Sequence, residues 1–113
     1  MPPKRNPLNL NALQLKTLTL LQELARLSEY SRPGEDAGNV VVEPPDAHGD
    51  HFHLGEAVVS GRDASGLRNP AVWIALERKG LIHSMYPDCA ILTPRGLDYD
   101  TGLREAIVRK SGH

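Results

Sequence analysis

Leucine dominates the first quarter of the chain at helical spacing. Leu10, Leu13, Leu20, Leu21, Leu24 and Leu27 recur three, four or seven residues apart, and Leu15 and Leu18 widen the stripe. That pattern predicts a helix buried on more than one side. Asn9 and Asn11 both suit its N-cap, and Gln14 makes Asn11 half of a capping box. The pattern runs to about Leu27 or Glu29. Residues 31–38 hold Pro33, Gly34, Gly38 and two acids, and read as loop. Val40, Val41 and Val42 read as a strand, stopped by Pro44 and Pro45. His51, Phe52, His53 and Leu54 alternate polar and apolar, so Phe52 and Leu54 share one face of an extended segment. This segment is expected to return on residues 40–42 as a hairpin, with Gly49 in the turn. The pattern leaves open whether the chain stays extended through Ala57, Val58 and Val59 or turns helical at Glu56.

The second half is punctuated more sharply. Ser60 as N-cap with Asp63 at the third position predicts a very short helix that Gly66 ends. Asn69 followed by Pro70 predicts the start of the next helix, where a missing N–H costs nothing. Arg78 and Lys79 suit its last turn and Gly80 its stop. Val72 and Leu76 mark its inward stripe, with Trp73 beside it. Residues 81–85 and 89–92 are short strand candidates around Tyr86-Pro87-Asp88. Thr93 and Pro94 open a last helix whose inner surface uses Leu97, Leu103, Ile107 and Val108, weakened in the middle by Gly102.

These elements describe one α+β domain over residues 9–108, between a flexible arm (1–8) and a flexible tail (109–113). At 113 residues the chain can bury one core of two layers, and aromatics at 4% leave that core to Leu, Val, Ile and Ala, with Phe52 and Trp73 as rare large fillers. No apolar window approaches a membrane span, and no apolar run follows the basic start that a signal peptide would need, so cytoplasmic residence is expected. Cys89 is the single cysteine, which excludes an internal disulfide and a multi-cysteine zinc site. Within its apolar stretch it reads as a buried, inert thiol.

The net charge is −1, which argues against a strongly electrostatic nucleic-acid binder. The charge is unevenly placed, however. Residues 1–61 carry five Lys/Arg against eight Asp/Glu, a net of −3, and residues 62–113 carry eight against six, a net of +2. His48, Asp50, His51 and His53 form the one cluster with metal-ligand character, though their spacing matches no strong metal motif, and a polar loop is the default reading. No paired carboxylates, activated nucleophile or phosphate-binding glycine loop stands out. Neither an enzyme nor a bound cofactor is expected.

Gly66-Leu67, Val72, Ala75-Leu76, Arg78-Lys79-Gly80-Leu81-Ile82 and Leu92-Thr93-Pro94-Arg95-Gly96 resemble the winged helix-turn-helix of many bacterial transcriptional regulators. The likeness covers about residues 56–97. It implies a small domain of three to four helices with a short antiparallel β-hairpin. In that family the second helix of the pair enters the major groove with its N-terminal residues against base edges. Carried onto this chain, those residues are Arg68, Asn69 and Ala71, with Trp73 and Ala75 further along. Arg62, Ser65 and Arg95 are placed to hold phosphates. The chain departs from the pattern in two places: the helix before the turn is short, and the wing tip carries Asp88 and no cation. Three readings follow. The first is a DNA-binding regulator or accessory factor, expected as a homodimer through the leucine-rich first helix or the last helix. The second is a winged-helix module that contacts only protein, and the third a metal-sensing variant using the histidine loop.

Overall fold

A computed structural model describes residues 6–45, 51–54, 57–60 and 64–108; for 51–54, 57, 58, 60, 107 and 108 it describes the backbone alone. In chain order the elements are α1 (Ala12–Leu24), β1 (Ser31–Pro33), β2 (Val40–Val42), β3 (His51–Leu54), β4 (Ala57–Ser60), a 3-10 turn (Ser65–Arg68), α2 (Pro70–Arg78), β5 (Ile82–Met85), β6 (Cys89–Leu92), α3 (Pro94–Asp98) and α4 (Arg104–Val108). The chain is a small α+β domain.

α1 is the hub. Asn11 accepts the Gln14 N–H at 2.8 Å, and Gln14 Oε1 accepts the Asn11 N–H at 3.0 Å, so the capping box forms as the sequence predicts. Leu18, Leu20, Leu21 and Leu24 are fully buried. Burial at such closely spaced positions means the helix is covered most of the way round, and it touches the 3-10 turn, α2, α3, α4 and β6. Leu13, Leu15 and Leu27 are partly buried against the same core. The helix ends at Leu24, earlier than its leucine pattern suggests. The Ser31 hydroxyl reaches back to the Ala25 and Leu27 carbonyls and satisfies groups that a longer helix would have used internally.

The strands pair differently from expectation. β2 does not return on β3. It lies between β1 and β6 in an antiparallel sheet of order β1-β2-β6-β5, with Val40 opposite Leu92, Val41 opposite Ile91 and Val42 opposite Ala90. Val42, Ala90, Leu92 and Ile82 all point inward and are fully buried, so β6 needs an apolar strand on each side. β3 pairs instead with β4, from His51 opposite Ser60 to Leu54 opposite Ala57. A two-residue connection closes that hairpin at less entropic cost than the longer path back to β2. Residues 31–33, expected as loop, form an edge strand, the one place in a sheet where Pro33 is tolerated without an N–H.

The turn before α2 also departs from expectation. Ser60 is the last residue of β4, and residues 61–63, where the short helix is expected, lie outside the described residues. Gly66 sits inside the 3-10 turn, buried against α1, where a Cβ would overlap the Thr17 hydroxyl. It permits a close approach and does not end a helix. α2 has the ends its sequence predicts. Asn69 accepts the Ala71 N–H at 3.0 Å, and Pro70 occupies the first helical position. At the other end the Gly80 and Leu81 N–H groups reach the Glu77 and Leu76 carbonyls with Gly80 at φ +78°. Thr93 caps the last helical segment by accepting from Gly96 N–H. That segment, expected as one helix, is two: α3 stops at Asp98, and the chain turns through Gly102 before α4. Gln22 Nε2 donates to the Gly96 and Tyr99 carbonyls at 2.8 Å each, and the Thr19 and Thr101 hydroxyls meet at 2.6 Å, which fixes this segment on α1. Asn6 and Leu8, assigned by sequence to a loose arm, are hydrogen-bonded to the Tyr99 hydroxyl. Residues 1–5 and 109–113 lie outside the described residues.

Gly66→Ala is expected to destabilise the domain by about 1–3 kcal/mol through overpacking against Thr17. Adding Thr17→Ala should recover part of that loss, read as non-additive urea midpoints. Additive losses would show that the close approach is not what Gly66 provides.

Candidate functional site

Helical geometry divides α2 into two sides. Val72, Trp73 and Leu76 face the core, while Ala71, Ile74 and Arg78 are exposed, with Ile74 47% accessible. Arg68 and Ser65 extend this exposed surface into the 3-10 turn. Described cations stand at both ends of the helix. Arg68 stands just before its N-terminus. Arg78 and Lys79 are exposed at its C-terminus, and Arg95 lies there too, since a Cβ added to Gly80 would stand 3.5 Å from Arg95 Nη1. Nine residues at the helical rise separate these ends by about 13 Å. Arg68 and Arg95 therefore flank α2 and do not form one patch, and Arg62 lies outside the described residues. Glu77 is the one acid of α2, and its carboxylate accepts the Ser84 N–H at 3.2 Å on the edge of β5.

Two of the expected contact residues are already committed. Trp73 is fully buried, as its expected role of large core filler requires, and this corrects its other expected place, on the contacting surface. It sits three positions before Leu76 on the inward side, and its indole N–H donates to the Gly66 carbonyl at 3.2 Å. Asn69 Oδ1, which a bidentate contact with adenine would use, accepts the Ala71 N–H as the helix cap.

The β5–β6 turn adds a residue that sequence reasoning missed. The Tyr86–Pro87 bond is cis, and Asp88 N–H closes the turn on the Met85 carbonyl at 2.8 Å. Tyr86 leans back from this tip. Its ring meets Trp73 edge-to-face with centroids 5.1 Å apart and planes at 85°, and its hydroxyl donates to the Arg68 carbonyl at 2.8 Å. The one signal in the sequence was the scarcity of aromatics, which makes each one a candidate for structural duty. Asp88 and Met85 stay exposed at the tip.

The remaining candidates scatter. His48 and Asp50 lie outside the described residues, and His51 and His53 are described by backbone only, two apart along β3. Among the described residues no three His, Cys, Asp or Glu side chains converge as a metal site. Cys89 is half-buried on the face of the sheet away from α1, in an open groove of about 390 Å³ shared with Arg32, Val41, His83, Met85 and Ile91. Burial pushes its thiol pKa up, opposed by Arg32 and reinforced by Glu43 and Asp88. A second cleft of about 620 Å³ lies between α1 and the α3–α4 segment. Glu23 lies in it, 2.8 Å from Arg104 Nε and 3.8 Å from Arg26 Nε, so its charge is matched within the fold.

Comparison with protein-family models, curated proteins and solved structures returned no match. No described helix is long and apolar enough to cross a membrane.

With its ionisation disfavoured, Cys89 should react with iodoacetamide more slowly at neutral pH than free cysteine does, and the midpoint of its rate against pH should lie higher. Equal or faster alkylation would show a thiolate stabilised by a neighbour.

Proposed function

We propose that this chain is a winged-helix protein that binds duplex DNA, as a regulator or accessory factor, with α2 as the reading helix. One observation carries the reading: α2 rests its apolar side on the core and turns Ala71 and Arg78 outward, with Arg68 exposed on the turn before it and cations at both ends. The topology supports it. α1 and four strands come first; a 3-10 turn, α2 and the antiparallel pair β5–β6 then follow one another, and β6 also pairs with β2, which lies between α1 and the turn in sequence. In this reading Arg68 offers its guanidinium to a guanine edge, and Ala71 allows close approach to a base. Ser65, Arg78, Lys79 and Arg95 serve phosphates, which fix register without reading sequence.

Binding should be measurable by fluorescence anisotropy on a short duplex at low salt. Log affinity should fall against log salt with a slope of about −0.9 per phosphate contacted. Arg68→Ala should weaken binding by about 1–3 kcal/mol if it reads a base. No binding at tens of micromolar protein would defeat the proposal.

A specific observation favours a second reading, contact with another protein. Ile74 and Met85 are large apolar side chains left 47% and 56% exposed, and the hairpin tip carries Asp88 where a phosphate-facing wing should carry a cation. Ile74→Lys separates the two. Duplex DNA should bind that variant as well as or better than the parent, whereas a protein partner packed on Ile74 should be lost.

A further inference from the structure

We propose that Tyr86 is a positioning residue: from the β5–β6 turn it fixes the geometry of residues 66–69, the turn that feeds Arg68 and Asn69 into α2. Its bearing on DNA rests on the function proposed above. Two aromatic donors hold this short stretch from different elements. Trp73, from α2, donates its indole N–H to the Gly66 carbonyl. Tyr86, from the hairpin, donates its hydroxyl to the Arg68 carbonyl at 2.8 Å. The two rings meet edge-to-face, so each limits the other's movement. Within the turn itself the Leu67 and Asn69 N–H groups reach the Ala64 and Gly66 carbonyls at 3.0 and 3.1 Å. A single 3-10 turn is weak alone.

The Tyr86 hydroxyl makes its hydrogen bond to backbone and not outward. It orients the peptide that joins the turn to Asn69, and so sets the direction in which the Arg68 side chain leaves the surface. The hairpin thereby belongs to the site through the reading helix and needs no phosphate contact of its own. This accounts for a tip that bears Asp88 and no cation.

Tyr86→Phe keeps the ring against Trp73 and removes only the hydroxyl. Hydrogen exchange should then rise about fivefold at the Asn69 amide and the Trp73 indole, the factor expected for one net hydrogen bond. The Ala25 amide of α1 should not change. Tyr99→Phe, which deletes a hydroxyl bonded on the other side of α1, should leave Asn69 exchange as it was. Duplex affinity of Tyr86→Phe should fall by a similar factor with the salt slope unchanged. Unaltered exchange at Asn69 would overturn the proposal. So would an affinity loss accompanied by a slope shallower by about one, because Tyr86 would then be touching a phosphate itself. If the parent chain binds no duplex, the DNA reading fails, and the exchange at Asn69 alone decides whether Tyr86 holds the turn.

Discussion

The contact between the Gly66 turn and α1 is the constraint on which the rest depends. Because Gly66 has no side chain, the turn comes down on Thr17, and its carbonyl faces Trp73. That places α2 so that Val72, Trp73 and Leu76 enter the core while the opposite side stays in water. The Thr17 hydroxyl is itself occupied, donating to the Leu13 carbonyl at 2.8 Å, so the tight approach leaves no buried donor unmatched. A bulkier residue at position 66 would lift the turn, tilt α2 and carry Arg68 with it.

The sheet works in the same direction. β6 sits between two strands, with Ala90 and Leu92 fully buried, and it presents β5 alongside α2. Glu77 accepts the Ser84 N–H on the edge of β5, and Pro33 removes a donor from the edge of β1. Both devices blunt edges that would otherwise invite another strand. The hairpin tip then closes the loop of contacts by returning Tyr86 to the turn. Helix, turn and hairpin form one mechanical unit.

The polar groups buried around α1 follow the same logic. Thr19 donates to the Leu15 carbonyl and meets Thr101. Glu23, 8% exposed, pairs with Arg104 across the cleft. Breaking either partnership would strand a polar group, which costs more than the bond contributes when made. These contacts tie the α3–α4 segment to the hub and leave the surface of α2 uncovered.

Local chemistry determined the starts of α1, α2 and α3 and the end of α2. Asn11 with Gln14, Asn69 with Pro70, Gly80 after Lys79, and Thr93 with Pro94 all do what their residue types favour, because each cap is a bond between groups within five residues. The strand character of residues 40–42, 51–54 and 89–92 was legible for a similar reason, since alternation and β-branching act along the segment. Partners were not legible. Whether β2 paired with β3 or β6, whether Gly66 stopped a helix or admitted α1, and whether Trp73 faced water or the core depended on residues far away in sequence. The role of Tyr86 depended on two such contacts at once. Only the tertiary structure decided these, because close packing and hydrogen bonding across the domain choose among local options that the chain alone holds nearly equal in energy.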